Sequence, residues 1–368
     1  MNLKGKGFFI WKIINCEKGD PKAIAKIARD AELTHVILKI ADGAFPYNVN
    51  RQNNEDYVGP VVDALRNVGI EVWGWHYVYG DYPNSEAKIA ISRMKEFNLS
   101  GYVIDAEIEY KEAGKKNAAT AFMKLLRKDL PNTPMALSSF RFPSFHPQLP
   151  WKAFLDYCDY NMPQVYWEQS HNPEANLTRT VKEFQSLTPF RPIIPTGPTY
   201  RAGSWLPTIE DTRKFLETCK ELKLDAVNFF SWDECRPAYP QLWKVIEEFD
   251  WNKVPSLQDK DFSDLWVEAL NSGNPDEVVK LYAPNSVHIT STRSIQGLTE
   301  IHEWYNYFLK QLLPNGKFTI TGKSGAGNSR SINWICNSEK AKVSNGRDTF
   351  GLINNKIAYH YSFFATKS

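Results

Sequence analysis

The sequence predicts an α/β chain, a (β/α)8 TIM barrel followed by a smaller α+β domain. Three observations carry that prediction. Residues up to about 250 alternate strand-like and helix-like runs eight times. The fourth strand-like run, "GYVIDAEIEY" (101–110), passes from apolar residues straight into Asp105, Glu107 and Glu109. The alternation then stops at "DWNKVPSLQDKD" (250–261), after which helices come first and consecutive strands follow. These breaks assign 1–252 to the barrel, 253–260 to a linker and 261–368 to the second domain.

"GFFIWKI" (7–13) is a compact apolar run and reads as the first strand. "PKAIAKIARDAEL" (21–33) has proline at a helix start and apolar residues at helical spacing. "HVILKIADG" (35–43) is the second strand, "YVGPVVDALRNVG" (57–69) a helix closed by Gly69, and "IEVWGWHYVYG" (70–80) the third strand. "SEAKIAISRMKEFN" (85–98) is a helix opened by Ser85 and leads to the acidic fourth strand. The helix "KNAATAFMKLLRKDLP" (116–131) and the strand "PMALSSF" (134–140) follow. A long aromatic connection then reaches "YCDYNMPQVYW" (157–167), the sixth strand. Helix "NLTRTVKEFQSL" (176–187), strand "PIIPTGPTY" (192–200) and helix "TIEDTRKFLETCKELK" (208–223) come next. Strand "AVNFFSW" (226–232) and helix "YPQLWKVIEEF" (239–249) close the set. A doubly wound open sheet is the rival architecture, but no GxGxxG follows the first strand. Beyond the linker, "FSDLWVEALNSGNPDEVVKLYAPNSVHI" (262–289) reads as two helices and a strand, and "TEIHEWYNYFLKQLL" (299–313) as a third helix. The remainder alternates as an antiparallel sheet does.

Composition sets the function classes. The 368 residues include 12 Trp, 17 Tyr and 21 Phe, a globular make-up that suits either large cores or sugar-stacking clefts. With 44 basic and 42 acidic residues the net charge is +2, and no basic block points to nucleic acid or an anionic membrane. No apolar run approaches the roughly 18 residues of a membrane span. The N-terminus carries lysines and a short apolar piece broken by Lys12, so it reads as a first strand and not as an export signal. That leaves the compartment open: cytoplasmic as made, with release needed if the target is a cell wall. The five cysteines are scattered without CxxC spacing, as expected of reduced, buried thiols. No cofactor or metal is implied, since His76 has no second histidine at ligand spacing.

The acidic strand end is the strongest chemical signal. Inward side chains lie two apart along a barrel strand, and the carboxyl ends of the strands carry the active site. Asp105 and Glu107 therefore share a face, with Cα atoms roughly 6.5 Å apart. Two carboxyl groups held close in a half-dry mouth do not both ionise, which gives an acid beside an anion. Glycoside hydrolysis uses that equipment. Glu109 lies a residue pair further out and is expected to contribute little. Other strand ends offer Trp75, His76, Tyr77, Gln164, Tyr166, Trp167, Tyr200, Trp232 and Asp233 as binding residues. Each aromatic is equally at home in a core; their convergence on one end of the barrel is what suits a polysaccharide chain.

"DAE" after "YVI", "MPQVYW" and the last strand "FFSW" resemble the barrels of glycoside hydrolase families 25 (lysozymes, or muramidases) and 18 (chitinase-like), over about residues 5–250. Family 25 implies cleavage of the β-1,4 bond between N-acetylmuramic acid and N-acetylglucosamine in peptidoglycan, with Glu107 matching the proton donor beside Asp105. Family 18 implies attack by the substrate's own acetamido group, with the same glutamate protonating the leaving group. The chain departs from both patterns. "GFFIWKI" carries no acid at the end of strand one, and Ser100 and Val103 stand where the DxxDxDxE pattern has its first two acids. A carbohydrate-binding barrel without turnover is therefore a second reading. Residues 261–368 resemble the SnoaL-like/NTF2-like fold, a cone of helices against a curved sheet. Trp266, Tyr282, Trp304, Phe308, Trp334 and Tyr361 are expected to line that cone or fill its core, and His288 and Asp348 are its candidate polar groups. This fold hosts enzymes, binders and dimerising modules alike. It implies a homodimer through that domain, or a small-molecule activity housed in it as a third reading.

Overall fold

In the computed structural model, residues 3–252, 261–325, 328–353 and 356–367 are described, and they form two compact units that meet in sequence at Asn252/Lys253. The proposed linker, 253–260, lies outside the described residues.

The first unit is a closed barrel of eight strands. They are β1 (Gly5–Ile10), β2 (Leu33–Asp42), β3 (Glu71–Val78), β4 (Gly101–Ala106), β5 (Met135–Phe140), β6 (Tyr160–Gln164), β7 (Thr196–Pro198) and β8 (Ala226–Phe230). Every neighbouring pair is parallel, and β1 closes the ring by pairing with both β2 and β8. Helices cover the outside: α1 (Pro21–Asp30), α2 (Val58–Arg66), α3 (Pro83–Glu96), α4 (Lys115–Asp129), α5 (Trp151–Leu155), α6 (Pro173–Gln185), α7 (Ile209–Glu221), α8 (Trp232–Ala238) and α9 (Pro240–Glu248).

Period 2 sorts each strand between two cores. From β2, Val36, Leu38 and Ile40 enter the layer beneath the helices, while Ile37 points into the barrel with Phe9, Trp73, Trp75, Val103 and Met162. Tyr102, Ile104 and Ala106 of β4 likewise face the helices, and Val103 faces in. The barrel base is tight: Trp73 lies where a Cβ on Gly101 would come within 2.4 Å of its indole, so only glycine fits at the start of β4.

Several boundaries differ from the expected ones for identifiable reasons. β1 stops at Ile10 because the amide of Trp11 is taken by the Asp233 carboxylate at 2.9 Å. β7 is short, since Pro192, Pro195 and Pro198 offer no ladder donor. α3 opens at Pro83, ahead of Ser85, because proline suits the first turn of a helix. There the carboxylate of Glu86 accepts the amides of Tyr79, Gly80 and Tyr82. The aromatic connection before β6 contains α5, and α8 begins at Trp232, directly after the eighth strand. The five cysteines are free and buried.

A chain ending at Asn252 is expected to fold as a soluble, cooperative unit, since ring closure of the barrel needs no residue beyond it. Insoluble or non-cooperatively melting material would place the boundary elsewhere.

The second unit packs helices on one face of a mostly antiparallel sheet. Its elements are α10 (Phe262–Asn271), α11 (Pro275–Val279), β9 (Tyr282–Ile289), β10 (Ser294–Gln296), α12 (Leu298–Tyr307), β11 (Lys317–Ser324), β12 (Ser329–Asn337), β13 (Lys342–Ile353), β14 (Lys356–Phe363) and β15 (Thr366–Lys367). The strand order is β10-β9-β14-β13-β12-β11, with β15 against β13. Trp266, Tyr282, Tyr305, Phe308, Trp334 and Phe350 form its core. Tyr361 does not join them. It alternates with the buried His360 and Ser362, so it faces outward and is 45% exposed.

Candidate active site

The mouth of the barrel is built from strand ends. On β4, Asp105 is the last inward residue and is almost wholly buried; Glu107 follows just past the strand. The amide nitrogen of Gln164, at the end of β6, donates to both: 3.0 Å to Asp105 Oδ1 and 2.8 Å to Glu107 Oε1. Ser138 stands beside Asp105 in the β4–β5 register. A single amide thus clamps two carboxyl groups from the next strand but one, across β5.

Burial raises the pKa of Asp105 well above the usual carboxylate range, and the charge of Glu107 raises it further; Lys39 and the Ser138 hydroxyl oppose this. Glu107 is also raised, chiefly by burial, against the Gln164 amide. The coupling between the two favours the proton on Asp105 and the charge on Glu107. The pair titrates as a unit, with both carboxyl groups raised above their ordinary range.

Around it stand aromatic rings. Tyr77, on the inner face of β3, donates its hydroxyl to Glu109 at 2.9 Å. Glu109 lies in the short helical turn Ile108–Lys111, and its charge raises the pKa of Glu107, so it is coupled to the pair and not idle as its position suggested. Trp75 lies one inward position below Tyr77, edge-on to Phe230 at 6.0 Å. Tyr166 and Tyr200 meet edge to face at 5.4 Å, and both feel the charge of Glu107. Tyr200 donates its hydroxyl to Glu168.

Four expected members are not part of this surface. His76 sits between Trp75 and Tyr77, so period 2 turns it to the helix side. There Nδ1 meets the Tyr102 hydroxyl at 2.8 Å, Nε2 meets the Gly43 carbonyl at 2.7 Å, and burial lowers its pKa to about 4. Trp167 is fully buried against Phe215 of α7. Trp232 belongs to α8 instead of a strand, and it packs on Phe8 and Trp243 outside the barrel. Asp233 reaches the rim, but its carboxylate is spent on the Trp11 amide.

Sequence reading also passed over several residues. Lys39 faces inward from β2, ion-paired to Asp42 at 2.6 Å, and Asp42 accepts the Tyr79 hydroxyl at 2.9 Å. A lysine on the same alternation as Ile37, within "HVILKIADG", was the available signal. Trp11 follows β1, 37% exposed, with its ring 6.2 Å from Phe230. Among the described residues no group of three or more His, Cys, Asp or Glu side chains is placed to hold a metal ion, and no helix is long and apolar enough to cross a membrane.

The fold and the mouth together define a class: a (β/α)8 barrel with a coupled carboxyl pair, Asp105 buried and Glu107 half-buried, at the carboxyl ends of its strands. No family model matches the chain, and no curated protein does. Among solved structures, a chitinase from Chromobacterium violaceum is similar at 12% identity and a TM-score of 0.48, over 67% of this chain and 98% of that one. An NTF2-like protein of unknown function from Cytophaga hutchinsonii is similar at 13% identity and a TM-score of 0.26, over 31% of this chain and 94% of that one. A de novo designed protein with a curved β-sheet is similar at 12% identity and a TM-score of 0.26, over 28% and 82%.

Proposed function

We propose that the barrel is a glycoside hydrolase acting on an N-acetylhexosamine polysaccharide, peptidoglycan or a related polymer, with Glu107 as the proton donor. The observation that carries this reading is the Asp105–Glu107 pair, clamped by Gln164 and raised in pKa by burial. One amide nitrogen reaches an oxygen of each carboxyl group, which holds the two closer than the roughly 6.5–9.5 Å that inverting enzymes leave for an attacking water. The arrangement fits attack by the substrate's own acetamido oxygen. The shared proton passes from Asp105 to Glu107 and then to the departing glycosidic oxygen. The C1–O bond breaks as the acetamido oxygen closes on C1, and the Asp105 carboxylate faces the positive charge that develops on the amide. Water then opens the ring, returning a proton to Glu107. Tyr77, Tyr166, Tyr200 and Gln164 are the proposed substrate contacts; Trp75, 2% exposed, lies beneath them.

Reducing-sugar release from a panel of purified chitin, peptidoglycan and polymers without acetamido groups tests this. Turnover confined to acetamido polymers is the expected result; turnover of the others alone would reject the mechanism.

One observation favours a second reading, a glycan-binding barrel without turnover. No carboxylate ends β1, and Asp233, which reaches that end, is engaged by main chain. Tight retention on insoluble glycan with no sugar release would establish it.

For the second unit we propose pairing with a second copy. Tyr359, Tyr361 and Phe363 form an outward row on β14, each 43–45% exposed. Val287 and Ile289 flank that row from β9. Sedimentation of the full chain is expected to show a dimer that Tyr361→Lys converts to monomer; a monomeric wild type removes the proposal.

A further inference from the structure

The barrel interior holds a cation that the mechanism above does not use. Lys39 is 3% exposed, on the inner face of β2. Its Nζ lies 4.4 Å from the ring centre of Tyr47, 4.7 Å from Trp75, 5.3 Å from Trp11 and 5.9 Å from Tyr77. Four rings and the Asp42 carboxylate therefore enclose it. A buried ammonium is costly unless paired, and both the ion pair and the ring faces offset that cost. Enclosure also excludes the simplest role: Lys39 is shut away from any glycan, so it does not bind substrate. It lies close enough to the carboxyl pair for its charge to act on Asp105. The register explains this. Lys39 pairs with Trp75, and two residues further along β3, Tyr77 pairs with Asp105.

Resting on the reading of the Asp105–Glu107 pair as the acid of a glycoside hydrolase, we propose that the enclosed Lys39, ion-paired to the partly exposed Asp42, positions the charge balance of the carboxyl pair. Lys39 draws the pKa of Asp105 down, and Asp42 limits how strongly Lys39 does so. The other groups facing the pair are accounted for. Glu109 and Lys111, in the turn after β4, act on Glu107 with opposite signs. The phenols of Tyr77, Tyr166 and Tyr200 are all raised by burial, so they stay neutral across the working range. Ser138 and Gln164 do not titrate. Lys39 is thus the positive charge facing Asp105 from inside the barrel, and it reaches the reaction only through that carboxyl group.

The test is a pair of substitutions with opposite expected signs. Lys39→Met removes the cation and leaves Asp42, so the carboxyl pair holds its protons more tightly. Both limbs of the pH–rate profile are expected to move up by about one pH unit. Asp42→Asn leaves the cation unopposed, and the limbs are expected to move down. Lys39→Arg keeps the charge and is expected to keep the limbs. A purely structural role would lower the melting temperature of the variants without moving their limbs in opposite directions. The same titration is followed in the full-length protein by the carboxyl-carbon NMR shifts of Asp105 and Glu107, which need no turnover. If the wild type proves inactive while the NMR titrations shift oppositely, the hydrolase reading fails and the charge-balance proposal stands. If Lys39→Met does not fold, Asp42→Asn decides alone. Unshifted titrations, or shifts of the same sign in both variants, overturn the proposal.

Discussion

Replacing Glu107 with glutamine is expected to lower the initial rate of glycan hydrolysis by about 10²–10⁴, the usual worth of a positioned general acid. The variant keeps the Gln164 contact and the side-chain shape, so glycan binding is expected to persist. Asp105→Asn is expected to depress the rate as well, because it removes both the partner that shares the proton and the charge facing the acetamido group. The pH dependence has a definite sign. The pKa of the pair is raised, so its last proton persists further toward neutral pH than an exposed carboxyl group would allow, and activity is lost as pH rises through that value. Glu109→Gln takes away a charge that raises Glu107, so the basic limb is expected to move down while the plateau rate stays within a few-fold. Initial rates across pH for the wild type and the three variants check all of this. Turnover that survives Glu107→Gln unchanged would remove Glu107 from the mechanism.

The second large effect concerns stability in the second unit. Asp348, on the inner face of β13, is fully buried, and its pKa is pushed up to about 8 by that burial. His360 lies 3.2 Å away, but burial holds it well below its ordinary pKa. The two are therefore neutral neighbours and not an ion pair. An unfolded chain releases the Asp348 proton near pH 4, whereas the folded unit keeps it to about pH 8. The stability this provides is complete below about pH 4 and is lost as pH rises toward 8, at about 1.4 kcal/mol per pH unit in that window. His288 and His360 act in the opposite direction: both are depressed by burial, so their contribution is lost as pH falls below about 6.5. Asp348→Asn cannot titrate. Its melting temperature is expected to be level from pH 6.5 to 8, where that of the wild-type unit falls by several degrees. Calorimetry of the full chain across pH checks this, and parallel curves for the two proteins would show that Asp348 ionises normally.

Much of this protein is legible in one dimension because its barrel strands are covered on both faces. Runs such as "HVILKIADG" and "GYVIDAE" announce buried strands, and the alternation with amphipathic helices sets their count and order. The same period 2 that puts Asp105 and Glu107 together comes directly from their spacing. Proline and capping signals place most helix starts, as the Thr208–Asp211 box does for α7. Lys39 was also visible, as a charge on the inward alternation, but its enclosure by Trp11, Tyr47, Trp75 and Tyr77 joins three strand ends that are far apart in the chain.

The direction of a side chain at a strand end depends on where the strand stops, and that is set by partners distant in sequence. Trp232 was assigned to the mouth because "FFSW" reads as continuous strand. The chain instead turns into α8 after Phe230, and the indole swings outward onto Phe8 and Trp243. Asp233 and the end of β1 settle each other through one hydrogen bond across 222 residues. The Gln164 clamp joins side chains 57 and 59 residues apart. Local propensity and hydrophobic period specify which residues form strands, while the charge state of the carboxyl pair depends on desolvation and on neighbours brought together by ring closure.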